Sequence, residues 1–333
     1  MLKITMKGIA LWNVAAIVTG LFLLSGLARA AETDWPRRPV EVVTPFRAGG
    51  DTDFFARVYS KYLAKELNAT FTVVNVEGAG GVIGAQQVVS ARPDGYKMLL
   101  VKTGSLHTTK LTEINELDHN SFAVAALGAL DHVVLVANKQ SGITSAKDFL
   151  AKAKAAPGEL RVAVTIPAFT YFALSKMQAS GNFTLTPVDY GGAAASLAAL
   201  VGNHVPLAVN HYGIFKQYID TGDIIPLMVT SEKRNLVYPD VPTVSEVGLA
   251  GAESACAYGF IFPKGTDPRI LKKLSDAVGA IQEHPEFISE IKDGYSVEPF
   301  YRDVATSKQY LDDLLNDMAK YKHTLMKKIG KMD

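Results

Sequence analysis

Pro45-Phe46-Arg47-Ala48-Gly49-Gly50-Asp51-Thr52-Asp53 lies between the apolar run Val40-Glu41-Val42-Val43 and the helix-patterned Phe54-Phe55-Ala56-Arg57-Val58. The order predicts a strand, a glycine turn and a helix. In such a turn the amides of Gly49, Gly50 and the first helical turn have no partners inside the helix. They point outward with the positive end of the helix dipole, where an anion fits. A plainer reading stands beside it: the glycines let the chain turn sharply, and Asp51, Thr52 or Asp53 is an ordinary N-cap.

Downstream, Phe54, Phe55, Val58, Tyr59, Tyr62, Leu63 and Leu67 repeat at close to helical period. A second strand over 71–76 enters Glu77-Gly78-Ala79-Gly80-Gly81-Val82-Ile83-Gly84-Ala85, another glycine turn opening a helix. Arg92-Pro93-Asp94-Gly95-Tyr96 forms a turn, and a third strand over 97–101 leads to Thr103-Gly104-Ser105. Strands alternating with helices imply a parallel sheet, whose ligands sit beyond the strand C-termini. A dinucleotide reading of the second turn fails: counted from Gly78, the last glycine of G-x-G-x-x-G is required where Ile83 stands.

The 333 residues, 48% of them apolar, allow one large domain or two medium ones with a full core. Lys3 and Lys7, an apolar run over 9–27 and Ala28-Arg29-Ala30 predict a secretory signal peptide over 1–30, with an uncleaved membrane anchor as the rival reading. Losing Lys3, Lys7 and Arg29 takes the net charge from +1 to −2, so no nucleic-acid partner is expected. Cys256 is the sole cysteine, so no intrachain disulfide is possible.

These motifs resemble the opening of the Bug-type extracytoplasmic solute receptors, the binding components of tripartite tricarboxylate transporters. The similarity continues through Phe122-Ala123-Val124-Ala125-Ala126-Leu127, Ser145-Ala146-Lys147-Asp148-Phe149, Ala156-Pro157-Gly158-Glu159-Leu160, Tyr190-Gly191-Gly192, Ser196-Leu197, Gly202, Val229-Thr230-Ser231, Pro239-Asp240-Val241-Pro242-Thr243, Gly259-Phe260 and Pro263-Lys264-Gly265-Thr266. It covers nearly the whole chain beyond the leader. The resemblance implies an α/β, two-domain periplasmic-binding-protein fold (type II) with crossing strands and a hinge-linked cleft that closes on a small carboxylate. The expected domains are 31–125 with 248–333, and 126–247.

The residues of the second half, read on their own, give strands over 133–137, 160–165, 184–188, 205–209 and 225–229, with helices over 145–155, from 166 and around Leu197. A strand over 258–262 precedes Thr266-Asp267-Pro268, a strong helix start, and one long amphipathic helix is expected over 303–328. Lys327-Lys328 and Lys331 read as a solvated tail. No G-x-S-x-G, H-E-x-x-H or metal-spaced cysteine occurs, and the seven histidines are scattered. His107 reads as a loop residue, while Glu113, Glu116 and Asp118 read as solvated. No cofactor, no metal and no catalytic residue is expected.

The resemblance implies that main-chain amides of the first two turns hold the carboxylate. The ligand-binding residues it places there are Ala48, Gly49, Gly50, Thr52, Asp53, Ala79, Gly80 and Gly81, with Thr103 and Ser105 on the third strand's exit; Arg47, where the chain departs from the resemblance, and Phe46 are added as candidates. The second domain adds Thr165, Ala168, Thr170, Tyr190, Gly191 and Asn210 by resemblance, and Phe169 and His211 as candidates where the chain departs from it. Asp53 reads as a cap, because a bare carboxylate repels an anion. Arg47 either pairs with Asp51 or grips a second carboxylate. Phe46, Phe169, Tyr190 and Tyr212 either line an aromatic slot or, for Phe46, join the core. The expectation is a monomeric periplasmic receptor for a dicarboxylate or aromatic carboxylate, serving the large and small transmembrane subunits of a transporter. A receptor for a sensor kinase and a periplasmic enzyme are the alternatives.

Overall fold

The computed structural model describes residues 33–328, and the unit treated below begins at Pro36. The leader expected over 1–30 and Lys331 lie outside the described residues. No helix among the described residues is long and apolar enough to cross a membrane.

The first half alternates as its apolar runs and glycine turns dictate: β1 (Val40–Thr44), α1 (Asp51–Glu66), β2 (Phe71–Asn75), α2 (Val82–Val89), β3 (Lys97–Lys102) and α3 (Thr103–Leu111). A long strand β4 (Phe122–Asn138) follows. The second half contains α4 (Ala146–Ala155), β5 (Arg161–Val164), α5 (Phe169–Gly181), β6 (Thr186–Asp189), α6 (Ala193–Val201), β7 (Leu207–His211), α7 (Tyr212–Asp220) and β8 (Ile224–Val229). The chain then returns through β9 (Ala255–Pro263), α8 (Pro268–Ile281), α9 (Pro285–Tyr295), β10 (Glu298–Arg302), α10 (Val304–Ala319) and α11 (Lys322–Lys328).

One sheet runs in the order β2-β1-β3-β9-β4-β7-β5-β6, with β8 and β10 also paired to β4. β1 is parallel to β2 and β3, β5 is parallel to β6 and β7, and β9 is antiparallel to both β3 and β4. β4 joins the two halves: residues 122–132 pair with β9 and residues 133–137 with β7. Gly128 and Ala129 sit at a register shift, Ala129 with φ 52°. A Cβ on Gly128 would lie 2.6 Å from the Tyr59 hydroxyl, so only glycine admits α1 this close to β4.

The core follows from the apolar face of α1. Phe55, Tyr59, Tyr62 and Leu63 are buried, and Phe55 packs tilted against Tyr258 at 4.1 Å while Tyr59 meets Phe260 edge-on at 4.8 Å. Each such ring removes a large apolar area from water, which favours this packing. Gln282 donates to the buried Tyr59 hydroxyl at 3.0 Å, so that the hydroxyl keeps a partner. Asp267 caps α8 by accepting from the Arg269 amide at 2.8 Å, with Pro268 in the first helical turn, as the sequence predicts.

Four expectations are corrected. Residues 122–132, not anticipated as strand, form most of β4; their alanines and two register shifts hide the alternation. The single helix expected over 303–328 is two, α10 and α11, divided at Lys320 and Tyr321, and β10 precedes them. His107 is not in a loop: α3 begins at once after β3 and buries it completely, its ring nitrogen 2.9 Å from His119, which in turn meets Asp312 at 3.0 Å. Asp118 is likewise buried, against Lys110 at 2.8 Å, rather than solvated.

Candidate functional site

The turn between β1 and α1 is held by its own acid. Asp53 accepts from the Gly49 amide (2.9 Å), from Asn75 (3.0 Å) and from Arg57 (3.0 Å). Burial alone would raise its pKa, but these donors together hold it below the ordinary carboxylate value. Gly50 is extended at the start of α1 and receives no side-chain cap, and Gly49 has φ 82°, a conformation that favours glycine. Asn75 also donates to the Phe46 carbonyl at 3.0 Å, tying the end of β2 to the first turn.

The second turn lies directly against the first. Gly78, Gly80 and Gly81 all have positive φ, and a short 3-10 turn over Ala79–Gly81 leads into α2. A Cβ on Gly84 would stand 2.8 Å from Pro45, and one on Gly81 would stand 3.3 Å from the Phe46 ring. Phe46 therefore packs between the turns and against the cluster of Val43, Leu99 and Ile261.

Arg47 does not pair with Asp51. It is 85% exposed and bonds Glu77 at 2.7 Å, joining the two turns at their outer rim. Asp51 instead meets Lys102, the last residue of β3. The Lys102 ammonium also holds Asp131 of β4 at 2.8 Å and lies 5.3 Å above the Tyr258 ring. The Asp131 carboxylate is in turn 3.1 Å from His211 Nδ1, at the end of β7. Burial would raise the pKa of both acids, yet Lys102 and His211 hold both below the usual carboxylate range. The side chains of Lys102 and Asp131 are 7% and 4% exposed, whereas that of Asp51 is 23% exposed. Asp51, Asp131 and His211 bring ligand atoms within 4.8 Å of one another, a donor set of metal-binding type. The Lys102 ammonium already supplies the positive charge that the two carboxylates need.

The second half reaches the same place. Phe169, buried at the start of α5, sits against α3, where a Cβ on Gly104 would fall 2.6 Å from its ring. Thr103 donates to the Ala257 carbonyl at 3.1 Å, and Ser105 is half-buried beside it. Ala168 caps α5 in an extended conformation, next to a cis bond between Ile166 and Pro167, and the buried Thr170 hydroxyl finds no partner among the described residues. Thr165, half-buried, follows β5 directly and leads into that bend. Asp189 accepts from the amides of Ile166 (3.2 Å) and Gly191 (2.9 Å), holding their two turns together. Asn210 accepts from the His211 amide at 2.9 Å.

The aromatic slot does not assemble as four free walls. Tyr212 stacks face to face on Tyr238 at 3.8 Å, and Tyr190 packs on the cluster containing Val134 and Val136. Asp51, Lys102 and Asp131 were absent from the residues anticipated for the site. For Lys102 and Asp131 the available signal was a charge ending or interrupting an apolar run, which demands a partner once buried. A cavity of about 620 Å³ lies elsewhere, bordered by Ser231, Ser254, Phe300 and Tyr310, and none of the anticipated residues lines it.

A family model described as the tripartite tricarboxylate transporter family receptor, TctC, matches residues 55–331. The chain is 30% identical to a UPF0065 protein in the gbd 5′ region of Cupriavidus necator over 97% of both chains. It is 28% identical to BugT of Bordetella pertussis, over 78% of this chain and 81% of that one. Among solved structures, the periplasmic binding protein BugD is 27% identical with a TM-score of 0.76, over 87% of this chain and 98% of its own. MatC from Rhodopseudomonas palustris, solved with bound malate, is 25% identical with a TM-score of 0.74, over 86% and 100%. These matches span both halves of the sheet, and the fold is that of the periplasmic binding proteins. The chain belongs to the TctC family, the Bug-type receptors of tripartite tricarboxylate transporters.

Proposed function

We propose that this protein is a periplasmic solute receptor that captures a small carboxylate between two lobes, residues 31–125 with 248–333 and residues 126–247, and delivers it to the membrane subunits of a tripartite transporter. The observation that carries the reading is the pair of glycine turns at the C-terminal ends of parallel β1 and β2, pressed together through Phe46, Gly81 and Gly84. Backbone amides at such turns, backed by a helix N-terminus, favour an anion. Malate in the related MatC supports a carboxylate as that anion.

The residues offered to it are Ala48, Gly49, Gly50 and Thr52 of the first turn, Ala79, Gly80 and Gly81 of the second, and Thr103 and Ser105. Facing them are Thr165, Ala168, Phe169, Thr170, Tyr190, Gly191, Asn210 and His211. Asp53 organises the first turn from within. Capture proceeds by closure of the lobes, without catalysis and as a monomer.

Thermal-shift measurements against aliphatic dicarboxylates, tricarboxylates, acidic amino acids and aromatic carboxylates test the reading. A ligand present at about 100 times its Kd adds about 2.7 kcal/mol, a clear rise in Tm. Stabilisation by one class of carboxylate supports the proposal, and no shift with any of them, on folded and ligand-free protein, overturns it.

A further inference from the structure

We infer that the ligand of this cleft carries a protonated amine as well as a carboxylate, and that Asp51 receives the amine. The inference rests on the cleft reading above and follows from how the charges at the turns are already spent.

Among the described residues three cations stand at the turns, and each holds a carboxylate of the chain itself. Arg47 holds Glu77, Arg57 holds Asp53, and Lys102 is shared between Asp51 and Asp131. Asp189, exposed beside Tyr190, is bonded by two main-chain amides. The acids therefore exceed the cations by two when His211 is neutral and by one when it is protonated. In neither state is a positive charge left for a dianion, which would bring further negative charge to a site already negative.

Asp51 is the acid placed to correct this. It begins α1, at the first turn, and its carboxylate lies within 4.8 Å of the His211 ring from the second half. Its side chain is the most exposed of the buried trio with Lys102 and Asp131. One oxygen accepts from the Thr52 amide at 2.7 Å and the Thr52 hydroxyl at 3.3 Å, and the other meets only Lys102 among the described residues. A carboxylate has about four acceptor sites, so room remains for a ligand N–H. Asp53 has no such room: Gly49 and Arg57 Nε donate to one oxygen, and Asn75 and Arg57 Nη2 to the other. Meanwhile the amides of Ala79 and Gly80 have no acceptor among the described residues, which leaves them for the ligand's carboxylate.

The test is calorimetric titration of ligand-free protein with matched pairs that differ in one amine: aspartate against succinate, glutamate against glutarate, and 4-(aminomethyl)benzoate against 4-methylbenzoate. In at least one pair the amine-bearing member binds about tenfold or more tightly, and Asp51→Asn erases that preference while circular dichroism shows the fold intact. Plain acids that bind as well as their amine-bearing partners overturn the inference and leave the carboxylate receptor standing. So does a preference that survives in Asp51→Asn. If no member of any pair binds, both the inference and the receptor reading for these carboxylates fail. The wild-type ratios decide the matter even where the variant does not fold.

Discussion

Replacing Lys102 with methionine removes the ammonium shared by two acids while keeping most of the side chain's length. Unit charges at the 2.8 Å separation of Lys102 and Asp131 attract by about 6 kcal/mol at an effective dielectric of about 20. Desolvation of the pair offsets much of this, but deleting one partner strands the other, at a typical cost of about 3–5 kcal/mol. Urea unfolding of Lys102→Met at pH 7 is expected to show a loss of that size.

The pH dependence separates this cause from simple loss of packing. In the native protein burial would raise the Asp131 pKa, but His211 and Lys102 outweigh it and hold the carboxyl low. A depressed folded value means that Asp131 contributes stability above its unfolded pKa of about 3.9, and that this is lost as pH falls through the folded value. Without Lys102 the Asp131 pKa moves upward, and the folded variant binds its proton earlier than the native protein does. The gap between the two proteins should therefore be widest at pH 7 and narrow as the pH falls towards 5. Lys102→Met combined with Asp131→Asn should recover part of the loss, because no acid is then stranded. A deficit below about 1 kcal/mol, or one equal at both pH values, refutes the reasoning.

Two further outcomes are expected. Gly104→Ala places a methyl 2.6 Å from the Phe169 ring and should cost about 1–3 kcal/mol in thermal or urea unfolding; adding Phe169→Leu should relieve part of that cost, and simple additivity would count against the contact. Burial, reinforced by His119, pushes the His107 pKa down to about 3. The unfolded histidine takes a proton first, so stability should fall as the pH drops below about 6.5, and a calorimetric series on His107→Gln that keeps the same slope would refute the assignment.

Much of the first half was legible because apolar strands, glycine turns and helical periodicity agree there. The same holds for α8, whose Asp267-Pro268 start is local chemistry. α3 was not legible because Thr103, Thr108, Thr109 and Thr112 favour other conformations on intrinsic grounds. In the fold the last three of these hydroxyls bond back to the helix, Thr108 to the Gly104 carbonyl at 2.7 Å, Thr109 to the Leu106 carbonyl at 3.1 Å and Thr112 to the Thr108 carbonyl at 2.8 Å. At the site, sequence neighbours suggested Arg47 for Asp51. The structure pairs Asp51 with Lys102, since the end of β3 adjoins β1 in the sheet while Glu77 claims Arg47. Partners so distant in sequence leave no periodic signal. Only the oddity of a charge beside an apolar run marks them.

The position of β9 carries a consequence for the order in which the molecule is built. Leu99 of β3 lies opposite Ile261, and Val124 of β4 is opposite the same residue from the other side. Two strands made early thus share a neighbour made only after the whole second half. As the chain emerges from its N-terminus, β3 must wait with one edge bare, and the contacts that close the sheet are long-range ones, which form slowly. The strand that joins β3 to β4 arrives only after β5 to β8, so the native sheet is completed when most of the chain is in hand.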